Sequence, residues 1–415
     1  MKNRLHYSDW LPLLVAMLGA WLLGPLAGRA QGSAGVLQGS VRDAGTHAPV
    51  PYASVALPGT GVGTVTNEEG NFRLVLPAGR PADSVVVSSV GYLPRRLPLL
   101  PGMLASSQVL TLTPQQYALQ DVAVRGYTAQ SLLSAAVRQT NRQLLSPALV
   151  SGYYREFAQT DGQYTKFADA LVDYYLQVNP RHPHKPEIQV RVRESRAGEV
   201  PPTDRTASLR AVPSPISIDL ALSWYSLTAD NHFLDSLSFS RYTYAIQAPA
   251  SGSNAPFYLI SFAPATHDKN YLDRGTVRVN SQTLTIEAID SELPAELLPY
   301  APSINLLVIK VKLVTAIAHY EFRTLNGQLY PALARLQAGV AVSGTPGNFR
   351  CDFTSVFAAT SVAAVASSPF AKNELYKGSL YKNGTNNRHP YWLENSIVLA
   401  TKDEEAAIAQ LAQPK

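Results

Sequence analysis

The sequence predicts a mainly β protein: a seven-stranded N-terminal β-sandwich, then an α+β domain with one helix packed on a large curved antiparallel sheet. Three observations carry this expectation. Residues 36–112 read as short strands separated by turn residues at close spacing, the pattern of a sandwich. Residues 128–145 have the apolar spacing of an amphipathic helix. Alternating runs then dominate to about residue 400, as extended antiparallel strands require.

At 415 residues the chain has room for two or three domains. Hydrophobic residues at 46% and charged residues at 16% favour packed cores over disorder. The net charge of +5 is scattered without a Lys/Arg stripe, so no nucleic-acid partner is expected. Residues 1–30 read as a signal peptide. Lys2 and Arg4 precede the apolar stretch Leu11 to Leu26, and Gly28-Arg29-Ala30 approximates a small-x-small cleavage pattern. Pro12, Gly19, Gly24 and Pro25 interrupt that stretch, which suits cleavage better than a spanning helix of about 20 apolar residues. The expected product is exported, periplasmic or outer-membrane-associated, and not an integral membrane protein. The single cysteine, Cys351, is far from the cleavage site, so no lipid anchor forms through an N-terminal cysteine. Its strand-like surroundings mark it as a small core residue.

In the first domain, strands are expected at 36–42, 53–57, 62–66, 72–76, 84–89, 93–99 and 108–112. Asp43 to Pro51 is a turn, as is Thr66-Asn67-Glu68-Glu69-Gly70-Asn71, where Gly70 suits a positive φ. Phe72, Leu74 and Leu76 alternate with Asn71, Arg73 and Val75, so one face can be buried. The runs Gly39-x-Val41-x-Asp43, Pro49-x-Pro51-x-Ala53-x-Val55 and Gly63-Thr64-x-Thr66-Asn67-x-x-Gly70-x-Phe72-x-Leu74, continued by Ser84 to Tyr92, resemble the carboxypeptidase-regulatory-like domain. The resemblance implies a transthyretin/Ig-like sandwich and an accessory module with no activity of its own. An aspartate is usual in that family where Asn67 stands; both residues favour turns, so little consequence is expected. Leu119-Gln120-Asp121-Val122-Ala123-Val124-Arg125-Gly126-Tyr127 is similar to the segment that follows this domain in envelope proteins of Bacteroidota. In TonB-dependent transporters of that group a plug and a long barrel come next, and the residues remaining here are too few for such a barrel.

The second domain is expected at 119–400, with a loose helical or frayed, flexible tail at 401–415. Leu133, Val137, Thr140 and Leu144 define the helix face, Thr128 can cap its start, and Pro147 stops it. Strands follow through Ile188-Val190-Val192 and Tyr242-Tyr244-Ile246, then a hairpin of 275–280 and 283–290 closed around Ser281-Gln282. Leu306 to Arg323 and Gln328 to Ala341 flank Asn326-Gly327, a strong two-residue turn signal. Pro- and Arg-rich loops are expected at 179–186 and 198–215. The one-helix, long-strand shape resembles the half-barrels of periplasmic lipoprotein carriers. Ser151 to Phe157, Tyr258 to Pro264 and Gly275 to Asn280 resemble regions that accompany this regulatory domain in envelope proteins.

The sequence contains no G-x-S-x-G elbow, H-E-x-x-H helix, phosphate loop or dinucleotide fingerprint. His184-Lys185-Pro186-Glu187 has a metal-ligand spacing, but Pro183 and Pro186 place it in a loop, and no metal or other cofactor is expected. The acidic pairs Glu68-Glu69 and Asp290/Glu292 and the run Asp403-Glu404-Glu405 are read as solvated turn, strand end and tail. Exposed aromatics and basic residues on strands are the remaining candidates for a ligand surface: Tyr174, Arg191, Arg193, Trp224, Tyr242 and Tyr244. The expectation is a non-enzymatic envelope protein whose sandwich contacts other envelope proteins or positions the larger domain. A lipid or glycan ligand in a concave sheet face is the alternative, and a hydrolase without a recognisable motif is the third.

Overall fold

The computed structural model describes residues 33–411 apart from 78–82, 90, 116, 119–125, 180–184, 201–213, 215, 226, 228–232, 250–256, 266–272, 302, 307–308, 345–346, 377, 379 and 381–396. The signal segment, most of the 119–127 motif, and His182 and His184 lie outside the described residues. Among the described residues the structure is mainly β, with nineteen strands and two α-helices.

The first seven strands are β1 (Ser33–Asp43), β2 (Ser54–Ala56), β3 (Gly63–Val65), β4 (Asn71–Pro77), β5 (Ser84–Ser88), β6 (Arg95–Pro98) and β7 (Gln108–Leu112). They form two sheets, ordered β4-β1-β7 and β3-β2-β5-β6. Alternation closes the sandwich as the sequence requires: Phe72, Leu74 and Leu76 from one sheet meet Val55, Val85 and Val87 from the other in one buried cluster. Gly70 has φ 78°, the left-handed conformation its turn demands.

The remaining strands build one large sheet. They are β8 (Tyr117–Ala118), β9 (Ala148–Thr160), β10 (Gln163–Gln177), β11 (Glu187–Glu199), β12 (Tyr242–Pro249), β13 (Phe257–Pro264), β14 (Arg274–Asn280), β15 (Ile286–Glu292), β16 (Ser303–Leu306), β17 (Ile309–Leu325), β18 (Gln328–Gly344) and β19 (Phe349–Ala364). The order is β11-β10-β9-β19-β18-β17-β15-β14-β13-β12-β8, with β16 paired to β17. All pairings in it are antiparallel. Asn326 and Gly327, at φ 50° and 80°, make the tight turn between β17 and β18. The β14–β15 connection is longer than Ser281-Gln282, because Asn280 Oδ1 accepts from the Gln282 and Thr283 amides and Leu284 takes φ 55° before β15 begins. The expected loop at 198–215 starts later, since β11 continues to Glu199.

Helix α1 (Ala129–Gln143) begins with a capping box between Thr128 and Ser131. It ends two residues before the expected 145. Leu144 turns extended, and the Leu145 amide donates to the Leu329 carbonyl at 2.7 Å. Leu132, Leu133, Ala136 and Val137 pack on one face of the sheet against Tyr154, Tyr174, Ile260, Ile289 and Tyr320. Complete burial of each leucine contributes roughly 1.5–3 kcal/mol. The described part of the 216–241 segment covers more of the same face, with Ile218, Leu222, Tyr225 and Phe233 in that core. This is the helix face. Cys351 is buried in an apolar cluster with Phe349, Phe353 and Val340, and burial raises its thiol pKa.

The tail takes the helical form, and it is packed rather than loose. Residues 402–411 form a second helix, α2 (Lys402–Leu411), with Ala407 and Leu411 buried. Thr401 and Glu404 cap it reciprocally: the Glu404 amide donates to Thr401 Oγ1 at 3.2 Å, and the Thr401 amide to Glu404 Oε2 at 2.8 Å. Ile408 and Leu411 pack on Phe157 and Phe167, so the segment is held by burial as well as by its cap.

Candidate functional site, the seam between sandwich and sheet

Strand side chains alternate between faces, so the residues opposite the α1 core form the outer face of the sheet. Register aligns them into two transverse rows. One row is Thr276, Asp290, His319, Arg335, Val356, Arg155, Asp169 and Arg196, on β14, β15, β17, β18, β19, β9, β10 and β11 in turn. Beside it run Arg278, Ala288, Glu321, Leu333, Ala358, Tyr153 and Leu171. The first row carries charges of both signs. The second ends in an apolar strip with Val65 of the sandwich and Val398 of the tail packed onto it.

The charges are paired along the row. Asp169, fully buried, accepts from Tyr153 Oη at 2.9 Å and Arg155 Nη2 at 3.3 Å, and from Arg196 Nη2 at 2.6 Å. His319 Nδ1 lies 2.6 Å from Asp290 Oδ1, and its Nε2 lies 3.4 Å from Glu321 Oε1. Burial opposes the imidazolium, but the hydrogen bonds to these two carboxylates outweigh it and raise the pKa to about 9. Burial would raise the Glu321 pKa, yet the hydrogen bond and charge of His319, with Arg278 and Arg323 nearby, hold it below the usual carboxylate value.

The sandwich and the tail dock on these rows. Arg335 donates to Glu68 Oε1 at 3.0 Å and stacks its guanidinium 4.3 Å from the Tyr52 ring centroid, while Tyr52 Oη donates to the same Glu68 oxygen at 3.0 Å. Asn67 Nδ2 donates to the Ala400 carbonyl at 3.0 Å, and the Lys402 amide donates to Glu69 Oε1 at 3.2 Å. Arg155 Nη1 lies 3.8 Å from Glu404 Oε2. Gly61 makes the close approach: a Cβ there would lie 2.8 Å from Val362 Cγ1, and its φ of 73° is left-handed.

Glu68, Asp403 and Glu405 are exposed, as the solvated reading expects, but each of the three acidic groups also supplies a paired residue. Glu68 and Glu69 hold the sheet and the tail, Asp290 holds His319, and Glu404 is turned toward Arg155. Asn67 also departs from its expectation. Its Oδ1 accepts from the Glu69 and Asn71 amides as an aspartate's would, but its Nδ2 donates to Ala400, which a carboxylate cannot do.

The six sequence-derived candidates do not converge. Tyr174 is fully buried on the helix face, with Oη donating to the Ile218 carbonyl at 2.6 Å and its ring edge-on to Phe357. Trp224 stacks on Tyr320 with ring centroids 4.7 Å apart. Tyr242 packs on Phe233 and Phe262, and Tyr244 Oη donates to the Phe233 carbonyl at 2.7 Å. Arg191 and Arg193 point to the other face and share Asp173, at 2.8 Å and 3.2 Å. Arg191 also reaches Glu374 at 3.1 Å. Aromatics on strands here serve the core, and these two arginines neutralise a buried aspartate.

At the seam a cleft of about 430 Å³ opens between the β2–β3 hairpin with Val86, Ser88, Ser89, Tyr92 and Pro94 of the sandwich on one side and β13, β14, β15, β17 and β18 on the other. Its sheet wall carries Phe257, Arg278, Asn280, Glu287, Glu321, Arg323 and Tyr330. None of these was singled out from the sequence. The charged alternation on β17, His319-x-Glu321-x-Arg323, is the signal that could have found them. Among the described residues no group of three or more His, Cys, Asp or Glu side chains is placed to hold a metal ion.

Residues 37–124 match the CarboxypepD_reg-like domain. The regulatory-like domain also relates the chain to a TonB-dependent receptor SusC of Bacteroides thetaiotaomicron, 37% identical over 91 residues. That alignment covers 22% of this chain and 8% of the receptor, so the chain spans less than a tenth of that relative's length. Solved structures similar to it include a DUF1329 family protein from Desulfovibrio piger (12% identity, TM-score 0.23) and a LolA superfamily protein from Nitrosomonas europaea (13%, 0.18). Each aligns with 60% of this chain and 99% of its own. Lipovitellin covers 64% of this chain and 33% of its own at 9% identity and TM-score 0.22. Among the described residues no helix is long and apolar enough to cross a membrane.

Proposed function

We propose that this is a non-enzymatic, exported cell-envelope protein whose regulatory-like sandwich is clamped to the outer face of the large sheet and fixes how that sheet is presented to other envelope components. The observation that carries the reading is the three-part clamp. Glu68 and Tyr52 grip Arg335, Asn67 and Glu69 grip the chain at 400–402, and Glu404 faces Arg155. The envelope setting is supported by the domain match and by the segment shared with the TonB-dependent receptor. The non-enzymatic reading is supported by the sequence, which carries none of the recognisable catalytic motifs. On the helix face, α1 and the described part of the 216–241 segment cover the sheet with an apolar core. We therefore place ligand binding at the seam.

Gly61→Val tests the clamp, with Gly59→Ala as its control. Both positions have left-handed φ, 73° and 72°, but a Cβ at Gly59 meets nothing within 4 Å. Both variants carry backbone strain of roughly 1–2 kcal/mol. Only Gly61→Val adds the clash with Val362. Small-angle X-ray scattering is expected to show the sandwich displaced in Gly61→Val and in place in Gly59→Ala. Identical profiles for both would sink the clamp.

A further inference from the structure

We propose that the seam cleft is a binding site for a small acidic sugar, its carboxylate held by Arg323 and Arg278 and its ring set against Phe257. This rests on the docked arrangement proposed above, because the sandwich supplies half of the cleft.

The wall offers donors that lack acceptors. Arg323 Nε and Nη1 are buried without a hydrogen-bond partner, its Nη2 lies 3.5 Å from the Thr64 carbonyl, and the Tyr330 hydroxyl and Glu321 adjoin the guanidinium. Arg278 is 8% exposed, and its Nε has no hydrogen bond although Glu287 Oε2 lies 3.3 Å away. Buried guanidinium N–H groups without acceptors are costly, and a carboxylate is the ligand group that matches their fork.

The acidic groups in the wall are already engaged. Glu287 Oε1 accepts from Asn280 Nδ2 at 2.8 Å and its Oε2 lies 3.3 Å from Arg278 Nε, while Glu321 is held by His319 with Arg278 and Arg323 nearby. A bound carboxylate would share the two guanidinium groups with Glu287 and Glu321. Glu287 and Asn280 remain suited to exchange hydrogen bonds with ring hydroxyls. The Arg278 guanidinium already lies 5.4 Å from the Phe257 ring centroid, so an aromatic face adjoins the charge. At about 430 Å³ the space falls within the range of small-molecule sites.

Isothermal titration of the full chain with D-glucuronate, D-glucose and inorganic phosphate tests this, with scattering on the same samples to report docking. Glucuronate is expected to bind, glucose and phosphate to bind at least roughly tenfold more weakly, and Arg323→Gln to weaken glucuronate by roughly tenfold or more. Pro58→Trp, at the exposed mouth on the sandwich side, keeps the test open if Arg323→Gln fails to fold: it is expected to block binding without changing thermal stability. A docked protein that ignores glucuronate overturns the site and leaves the clamp intact. Loss of docking in the unmodified chain overturns the clamp, and the site with it. Glucose or phosphate binding as tightly as glucuronate overturns the acidic-sugar assignment.

Discussion

The two faces of the large sheet are built from the same strands, yet they are held by different physics. On the helix face, Tyr320 and Ala334 sit beneath α1 and the 216–241 segment in a continuous apolar core. One residue away on the same strands, His319, Arg335, Arg155 and Asp169 form a charged row. Apolar burial is non-directional and tolerates many partners. Charged groups at low exposure require particular counter-charges at particular places, so the outer face selects what may cover it. The sandwich brings Glu68 and the tail brings Glu404. The helix face thus supplies stability, and the outer face supplies a unique arrangement of the parts.

Removing one charge from the middle of the row breaks this comparison most forcefully. Asp169→Ala leaves Arg155, whose side chain is 4% exposed, without its main counter-ion. The expected loss is about 3–5 kcal/mol, as large as truncating a buried leucine of α1 such as Leu133, for which about 2–5 kcal/mol is usual. Urea denaturation of both variants measures it. A loss below about 1 kcal/mol for Asp169→Ala would mean that the outer face is solvated and indifferent to its charges.

The difference between the faces also explains what the sequence disclosed. The sandwich strands, α1 and the β17–β18 hairpin follow from apolar periodicity and turn chemistry, which are local, and they appear close to where expected, whereas local signals do not delimit β9, β10 and β19. The outer row depends on which of twelve strands lie side by side. That β19 returns to pair with β9, bringing Val356 beside Arg155, is a long-range fact with no local signature. Arg191 and Tyr174 were grouped as one ligand surface because both are polar-capable strand residues, but their positions on neighbouring strands point to opposite faces. The helix α2 is a different case, since Thr401-x-x-Glu404 is a capping box followed by Ala407, Ile408 and Leu411 at helical spacing. Those signals are local and support a helix; its packing on Phe157 and Phe167 is again a long-range fact.

The His319 group sharpens the comparison through pH. Its folded pKa, raised from 6.5 to about 9, lies above the unfolded value. Its contribution is therefore complete below about pH 6.5 and is lost as pH rises through about 9. At roughly 1.4 kcal/mol per pKa unit the ceiling is about 3 kcal/mol, and the partial exposure of Asp290 lowers what is realised. The urea midpoint of the unmodified protein is expected to fall between pH 6.5 and 9, and that of His319→Gln to stay level over the same interval. Parallel curves would show that the imidazolium is not paired in solution.

The smallest expected effect is the most local, and it concerns the turn where this chain departs from its regulatory-like relatives. Asn67→Asp restores the residue usual in that family and preserves the acceptor for the Glu69 and Asn71 amides, so the turn itself should survive. What changes is the other end of the side chain. A carboxylate oxygen would replace the amide nitrogen that now lies 3.0 Å from the Ala400 carbonyl, setting two acceptors against each other at a position 2% exposed. The cost is about 1–2 kcal/mol, confined to the tail rather than spread over the fold. Hydrogen exchange should then quicken through 402–411 while β4 and β17 keep their protection. Exchange unchanged in α2 would mean that Ile408 and Leu411 alone hold the tail, and that the amide at position 67 is incidental to how the outer face is closed.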